Sequence, residues 1–326
     1  MDEEPAKKRK RDSDDDILRL NIDRAKESKL WFEDGNIVVV AENVPFKVHK
    51  GVLAGKSEVF SDMFSLPQPS VQDMSNVNEH FEGTPVVRLT DDWQDVKTLL
   101  AGIYHLEEFL ENLSTLPFAV VNPWIRLGHK YDVRGPRSEA LRRLGVLFPV
   151  SYHLYLENAI LRDRFIGSNL KRFITIYNLA RSQNLRDILP AALYKCSSLS
   201  YDVLVSGVGE DAPSSLSPAD LVIILAGQRN LINSDIGFLK KLIAFTPSEN
   251  CSTPDHCHYV TRLNLGVYWD DLIAHAGRIL STSPTVMTYM TAGNLCLHCK
   301  NHIIDEVQKY CVETWNSLDK LFGLKR

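Results

Sequence analysis

The segment from residue 30 to residue 66 constrains the fold most, because two short extended runs give way abruptly to helical spacing. Residues 36–41 are rich in β-branched side chains and lie between turn-forming pairs, which predicts a strand. Residues 45–48 follow after one tight turn and predict the second strand of a hairpin. From His49 onward the apolar residues recur at helical spacing, so two strands are followed by helix.

The helical part of this segment carries two motifs in the same register. The first has the pattern Phe-x2-His-Lys-x2-Leu and consists of Phe46, His49, Lys50 and Leu53. The second has the pattern Ser-x2-Phe-x2-Met-Phe and consists of Ser57, Phe60, Met63 and Phe64. Ser57 is predicted to cap the second of two short helical pieces.

These motifs and the order of elements resemble the start of a BTB/POZ domain. The resemblance continues through a strand at 85–89, a helix at 92–104 and a closing helical pair at 122–144. It implies an α+β fold, a small sheet with helices, and a role in protein–protein interaction through homo- or hetero-oligomerisation. Within the family the chain looks most like a fungal group in which a lone BTB domain precedes a helical C-terminal half.

One residue position and one loop depart from the family pattern. Many BTB domains carry a pocket aspartate where this chain has Asn36. Because an unpaired buried charge is costly, Lys50 is expected to be either solvated or paired with Asp34. The loop 67–83 is longer and more polar than a typical BTB connection, and in ligase adaptors this region helps hold the cullin scaffold, so that contact is not carried over to particular residues.

Three regions are predicted along the chain: a disordered charged tail at 1–16, the BTB/POZ domain at 17–148 and a helical region at 149–326. The residues that open the second region have the spacing of an amphipathic helix. They are candidates for a dimer interface, or they cover their own subunit: Ile17, Leu18, Leu20 and Ile22.

The tail contains a basic pentad among acidic residues. It consists of Lys7, Lys8, Arg9, Lys10 and Arg11, and Pro5 precedes it. An extended chain can lay such cationic side chains along an acidic receptor groove, which predicts a nuclear localisation signal. The alternatives are a plain solvated charge run and a cytoplasmic protein.

Composition sets the broad class of the chain. With 326 residues, 44% of them hydrophobic, it is long enough for two domains with sizeable cores. The net charge of −4 argues against a dedicated nucleic-acid-binding domain. No apolar run approaches a membrane span and the charged N-terminus does not resemble a secretory signal. We therefore expect no membrane partner and a reducing compartment, where the six cysteines are thiols or metal ligands.

The second half is predicted as a helical array with loops near 207–217 and 245–253. Its last helix, near 299–322, places one broad apolar face on the core and ends at Gly323.

Four cysteines of this half form two pairs. Cys296 and Cys299 have zinc-ligand spacing, and Cys251 and Cys257 supply a looser second pair. A structural zinc site is one interpretation, with His256, His258 or His302 as substitutes for one cysteine; buried thiols and a redox pair are the other interpretations. Cys196 and Cys311 lie outside this group and are expected in the core.

No nucleophile elbow, phosphate-binding loop or zinc-protease helix is found in the sequence, so we expect no enzyme and no catalytic residues. The main hypothesis is a scaffold that pairs with itself or with another BTB protein and binds an unknown client. The alternatives are a substrate adaptor for a cullin-type ubiquitin ligase and a nuclear cofactor in transcription that acts through partners, without contacting nucleic acid directly.

Overall fold

The computed structural model describes residues 20, 23, 29–65, 80–111, 116–206 and 213–324. These residues divide into two compact units, with the boundary after Leu144. The basic pentad, most of the loop 67–83 and three of the four candidate interface residues (Ile17, Leu18 and Ile22) lie outside the described residues.

The first unit contains a four-stranded sheet. Its strands are β1 (Ile37–Ala41), β2 (Val44–Val48), β3 (His80–Phe81) and β4 (Thr84–Leu89), in the order β2-β1-β4-β3. Strands β1 and β2 form the predicted antiparallel hairpin, with Val39 opposite Phe46. Strand β4 is parallel to β1, and this pairing requires a crossover connection.

Helices of the first unit fill that crossover and follow the sheet. They are α1 (Lys50–Lys56), α2 (Glu58–Ser65), α3 (Trp93–Tyr104), α4 (Leu106–Glu111), α5 (Phe118–Lys130) and α6 (Arg134–Leu147). Asp92 caps α3 by accepting hydrogen bonds from the backbone N–H groups of Gln94 and Asp95. The predicted elements of the BTB resemblance are therefore confirmed, within a residue or two at most ends.

Both faces of strand β1 are buried. Ile37, Val39 and Ala41 point into the main core, which the helices cover, whereas Val38 and Val40 pack in a smaller cluster on the opposite face. Every residue of β1 is buried, which explains why it reads as a continuous apolar run rather than an alternating one.

The second unit is helical in all of its described regular structure. Its helices are α7 (Tyr152–Glu157), α8 (Ala159–Ile166), α9 (Arg172–Ser182), α10 (Leu189–Ser197), α11 (Tyr201–Val205), α12 (Pro218–Ile243), α13 (Pro254–Ala274), α14 (Ile279–Met290), α15 (Leu297–Asn316) and α16 (Leu318–Leu321). None of the described helices is both long enough and apolar enough to cross a membrane.

The core of the second unit is built around Trp315 on α15. Its ring lies 4.3 Å from the ring of Tyr155, and the rings of Tyr152 and Tyr194 lie within about 6 Å. Its indole N–H donates a hydrogen bond of 2.6 Å to the carbonyl of Val150. The C-terminal helix is thus a central element of this unit, as its apolar face predicts.

Three details differ from the sequence predictions. Strand β3 and helix α4 are too short to give a periodic pattern, and neither was predicted. The last helix is broken at Ser317, so that α15 and α16 replace one continuous helix. Gly323 follows with φ of +66°, a conformation that suits glycine at a helix end.

Candidate functional site

Each unit contains one candidate site. In the first unit it is the entrance of helix α1, where the motif residues of the BTB resemblance lie. In the second unit it is a cluster of four cysteines. The two sites are described separately.

The N-terminus of helix α1 is capped by a residue that lies just before strand β1, and not by the residue that directly precedes the helix. His49 precedes the helix but makes no capping hydrogen bond with its side chain. Instead the side-chain oxygen of Asn36 accepts a 2.7 Å hydrogen bond from the backbone N–H of Lys50. Asn36 therefore supplies the acceptor that the exposed N–H groups of a helix start require.

His49 connects three segments of the first unit. Its Nε2 atom lies 3.2 Å from a carboxylate oxygen of Asp34, and its Nδ1 atom lies 3.2 Å from the hydroxyl of Tyr104. The same hydroxyl accepts a 2.9 Å hydrogen bond from the backbone N–H of His49. The side chain is 26% exposed, so this histidine is a packing residue at the helix entrance.

The structure distinguishes between the two alternatives for Lys50. Its side chain is exposed and its ammonium group lies 5.6 Å from the ring centre of Phe64, while Asp34 pairs with His49. Lys50 is therefore solvated, and the alternative pairing with Asp34 is wrong. With Asn36 at this position, Lys50 is not left as a buried charge.

The remaining motif residues lie in the core. Phe46, Leu53 and Phe60 are fully buried, and Met63 and Phe64 pack against the same cluster while partly buried. The hydroxyl of Ser57 accepts a 3.0 Å hydrogen bond from the N–H of Phe60 and donates one to the carbonyl of Tyr131. Ser57 thus caps α2 as predicted and also ties it to the segment after α5.

Leu20 is the one candidate interface residue within the described part of the chain. It is 9% exposed and packs with Val38, Val40 and Phe81 on the second face of its own sheet. This contact is the one expected if the N-terminal segment covers its own subunit.

The four-cysteine cluster consists of Cys251, Cys257, Cys296 and Cys299, whose sulfur atoms all lie within 4.8 Å of one another. Cys251 lies in the loop before α13, and Cys257 lies in the first turn of that helix. Cys296 is the residue that caps α15, and Cys299 lies one turn further on. Chain segments 45 residues apart therefore meet at one point.

Backbone N–H groups point at the sulfur atoms of this cluster. At 3.4 Å in each case, Ser248 donates to Cys299, Cys296 donates to Cys257, and Cys299 donates to Cys296. A backbone hydrogen bond from Thr253 acts on Cys251 and lowers its pKa, against a larger opposite effect of burial. Three of the four sulfurs, those of Cys257, Cys296 and Cys299, thus accept a hydrogen bond from a backbone amide.

The pKa values of the cluster thiols differ because their surroundings differ. Burial raises the pKa of the Cys299 thiol to about 12. Burial acts in the same direction on Cys257, but hydrogen bonds from the Cys296 amide, Thr253 and the neighbouring thiols outweigh it and lower the pKa of Cys257 to about 7. The environment therefore favours the thiolate of Cys257 over that of Cys299.

The histidines near the cluster have other contacts. His256 donates from Nε2 to the carbonyl of Asn294 at 3.2 Å, and the ring of His302 packs 5.6 Å from that of Phe245. Within the described residues, the group contains the four cysteines and none of His256, His258 or His302. Cys196 and Cys311 are fully buried outside the cluster, which confirms them as core residues.

Sequence reasoning missed two features that depend on residues far apart in the chain. One is the capping role of Asn36, for which the exchange of aspartate for asparagine in the family pattern was the only signal. The other is buried Asp235 on α12, which accepts hydrogen bonds from the backbone N–H groups of Gly277 and Ile279 and from the hydroxyl of Tyr310. An isolated aspartate in an amphipathic helix gives no sequence signal.

Comparison with known proteins identifies the first unit. Residues 31–134 match the BTB/POZ domain family, and this range runs from just before β1 to the start of α6. No curated protein matches the chain. The matched range contains the α1 entrance and all eight motif residues, whereas the four-cysteine cluster lies outside it.

Proposed function

Since residues 31–134 form a BTB/POZ domain, we propose that this protein is a non-enzymatic scaffold in which that domain pairs with a second BTB domain. The second domain belongs to another copy of this chain or to a different BTB protein. The helical second unit then carries a client protein. Protein–protein interaction is the general property of the domain; pairing and scaffolding are the specific proposal.

The integrity of the domain supports this proposal. The motif residues Phe46, Leu53 and Phe60 are fully buried, and Asn36 at the α1 entrance caps the helix while Lys50 is exposed, so no unpaired charge is buried there. The side chain of His49, the histidine of the motif, is engaged by Asp34 and Tyr104. Its partners give it a role in packing the helix entrance, which favours an interaction module over an enzyme.

Light scattering of the full chain at several concentrations tests the pairing. We expect a mass above the 36.9 kDa of one chain, rising toward twice that value with concentration. A monomer at every concentration would contradict pairing with itself. Affinity capture from the native cell, followed by identification of BTB proteins among the captured chains, then decides whether pairing with a different BTB protein replaces it.

A substrate adaptor for a cullin-type ubiquitin ligase is the second candidate function. It rests on the family alone, because most of the loop 67–83 that departs from the family pattern lies outside the described residues. Recovery of a cullin with the protein from the native cell would favour this role. Capture of BTB partners without a cullin would favour the scaffold.

The basic pentad at 7–11 leads to a proposal for location. We propose that it directs nuclear import, and that any role in transcription is indirect, as a cofactor acting through partners. Replacement of Lys8, Arg9 and Lys10 by alanine in a fluorescent fusion is expected to abolish nuclear accumulation. Unchanged nuclear accumulation would show that the pentad is not the import signal, whereas a wild-type fusion that stays outside the nucleus would favour a cytoplasmic protein.

Neither interaction role requires a cofactor in the BTB domain. A metal ion is proposed only at the four-cysteine cluster of the second unit.

A further inference from the structure

We propose that Cys251, Cys257, Cys296 and Cys299 bind one zinc ion, which fixes the start of helix α15 to the loop before α13. This site lies outside the BTB domain and is independent of the pairing proposed for that domain. The inference rests on the arrangement of the sulfur atoms, on their hydrogen bonds and on the chemistry of an all-sulfur ligand set.

The distances between the sulfurs suit a single ion. A tetrahedral zinc ion with Zn–S bonds of about 2.3 Å places its ligands about 3.8 Å apart. The sulfurs of Cys251 and Cys296 are 3.6 Å apart, and all four lie within 4.8 Å of one another. A disulfide requires about 2.05 Å, and all six cysteines of the chain are free thiols here.

Backbone polarity at the cluster favours thiolates. Four sulfurs that share one point repel each other when ionised, unless a cation lies between them. The amide donors from Ser248, Cys296 and Cys299 stabilise negative sulfur without adding a competing ligand. Cys296 also lies at the N-terminus of α15, where the helix dipole stabilises negative charge.

The ligand set selects the kind of metal and its role. Four thiolates are soft ligands and exclude magnesium and calcium, which bind oxygen. A tetrahedral all-sulfur site is typical of structural zinc. Since four protein ligands leave no open position for water or substrate, the ion stabilises the fold and performs no chemistry.

The four ligands lie at the starts of two helices, α13 and α15, so a shared ion would connect these two regions. The loop that carries Cys251 and the turn that carries Cys296 are irregular segments at the two ends of the 45-residue span from 251 to 296. A shared ion fixes both against the first turns of α13 and α15. The far end of α15 carries Trp315 into the core, so the ion stabilises the starting position of the unit's central helix.

Metal analysis of the full chain, purified without a histidine tag or chelator, tests the proposal. We expect about one zinc per chain by mass spectrometry of the elements. Titration of the native protein with a mercurial thiol reagent should release that zinc as the cluster thiols react. Because Cys251 and Cys296 are only partly buried, the reagent reaches the cluster without global unfolding.

Two variants separate the site from general destabilisation. Cys251→Ser removes a partly buried ligand and should lower the zinc content at least tenfold, whereas Cys196→Ala changes a buried cysteine outside the cluster and should retain full zinc. If Cys251→Ser does not fold, release of zinc by the mercurial from the wild type still decides the question.

Zinc below about a tenth of an equivalent, with six reactive thiols after unfolding, would overturn the proposal. One equivalent of iron in place of zinc would overturn the identity of the metal. Full zinc in Cys251→Ser together with loss in Cys196→Ala would overturn the ligand set.

Discussion

The side-chain oxygen of Asn36, just before strand β1, accepts a 2.7 Å hydrogen bond from the backbone N–H of Lys50, the first residue of helix α1. The bond joins residues 14 positions apart and replaces the cap that His49 does not provide. It shows how an asparagine at this position stabilises the start of the helix. An amide is sufficient because Lys50 points to solvent and needs no counter-charge.

Two substitutions of Asn36 should distinguish the contribution of the capping hydrogen bond to stability from the contribution of charge at this position. Asn36→Ala removes the acceptor and is expected to lower the free energy of unfolding of the BTB unit by about 1 kcal/mol. Asn36→Asp keeps the acceptor and adds a negative charge at the helix start, so it should match or exceed the wild type. Urea unfolding followed by a signal from the BTB unit measures both. Equal loss in the two variants would show that the side chain does not act as a cap.

Substitution of Ser57 is expected to lower stability more than substitution of Asn36. The Ser57 hydroxyl is buried, and it both accepts and donates a hydrogen bond. Ser57→Ala should lower the free energy of unfolding by about 2 kcal/mol, because the N–H of Phe60 and the carbonyl of Tyr131 lose a partner. Exposed Ser65 ends the same helix, and Ser65→Ala should change the value by less than about 0.5 kcal/mol. Similar losses in both variants would contradict the role given to Ser57.

Two glycines of helix α12 provide a matched test of packing. A Cβ atom on Gly227 would overlap the ring of Phe322, whereas one on Gly237 would meet nothing within 4 Å. Gly227→Ala should therefore destabilise the second unit by about 1 to 3 kcal/mol through overpacking. Gly237→Ala should stabilise it by up to about 1 kcal/mol, because alanine favours helix. Thermal unfolding of the two variants against wild type measures the sign, and a gain from Gly227→Ala would contradict this packing.

Asp235 makes the stability of the second unit depend on pH. Burial raises its pKa from 3.8 to about 6, and the hydrogen bonds from Tyr310, Ile279 and Gly277 lower it only in part. Since the folded state holds the proton more tightly, this contribution to stability is complete below pH 3.8 and is lost as the pH rises through 6.

Asp235→Asn removes that titration. Between pH 4 and pH 7 the free energy of unfolding of the wild type should fall, relative to the variant, by up to about 3 kcal/mol. Urea unfolding of both proteins at four pH values in this range measures the difference. The same pH slope in both would show that the carboxyl of Asp235 does not titrate there.

Local sequence determines most of the elements of the BTB unit because their signals are short-range. The β-branched run of β1, the turn residues beside it and the helical spacing after His49 fix strand and helix within a few residues. Ser57 was identified as a cap for the same reason, since its acceptor and the N–H of Phe60 are three positions apart. Strand β3 and helix α4 were not predicted, because segments of two and six residues are too short to show a periodic pattern.

The cysteine cluster shows the limit of such reasoning. Spacing identified Cys296 and Cys299 as a pair, but it left thiols, a redox pair and a metal site open, with three histidines as substitutes. Only the fold brings the pair Cys251 and Cys257 to the same point as Cys296 and Cys299 and directs backbone amides at three of the four sulfurs. That convergence depends on the packing of α13 and α15, which is a property of the whole unit.

The sequence by itself therefore determined the type of domain, the order of its elements and the residues of its core, because burial patterns and turn preferences act between near neighbours in the chain. Tertiary structure alone decided that Asn36 caps α1, that Asp34 pairs with His49 and not Lys50, and that Asp235 is buried. Each of these depends on the position and direction of a side chain relative to a distant segment, and no local pattern encodes that geometry.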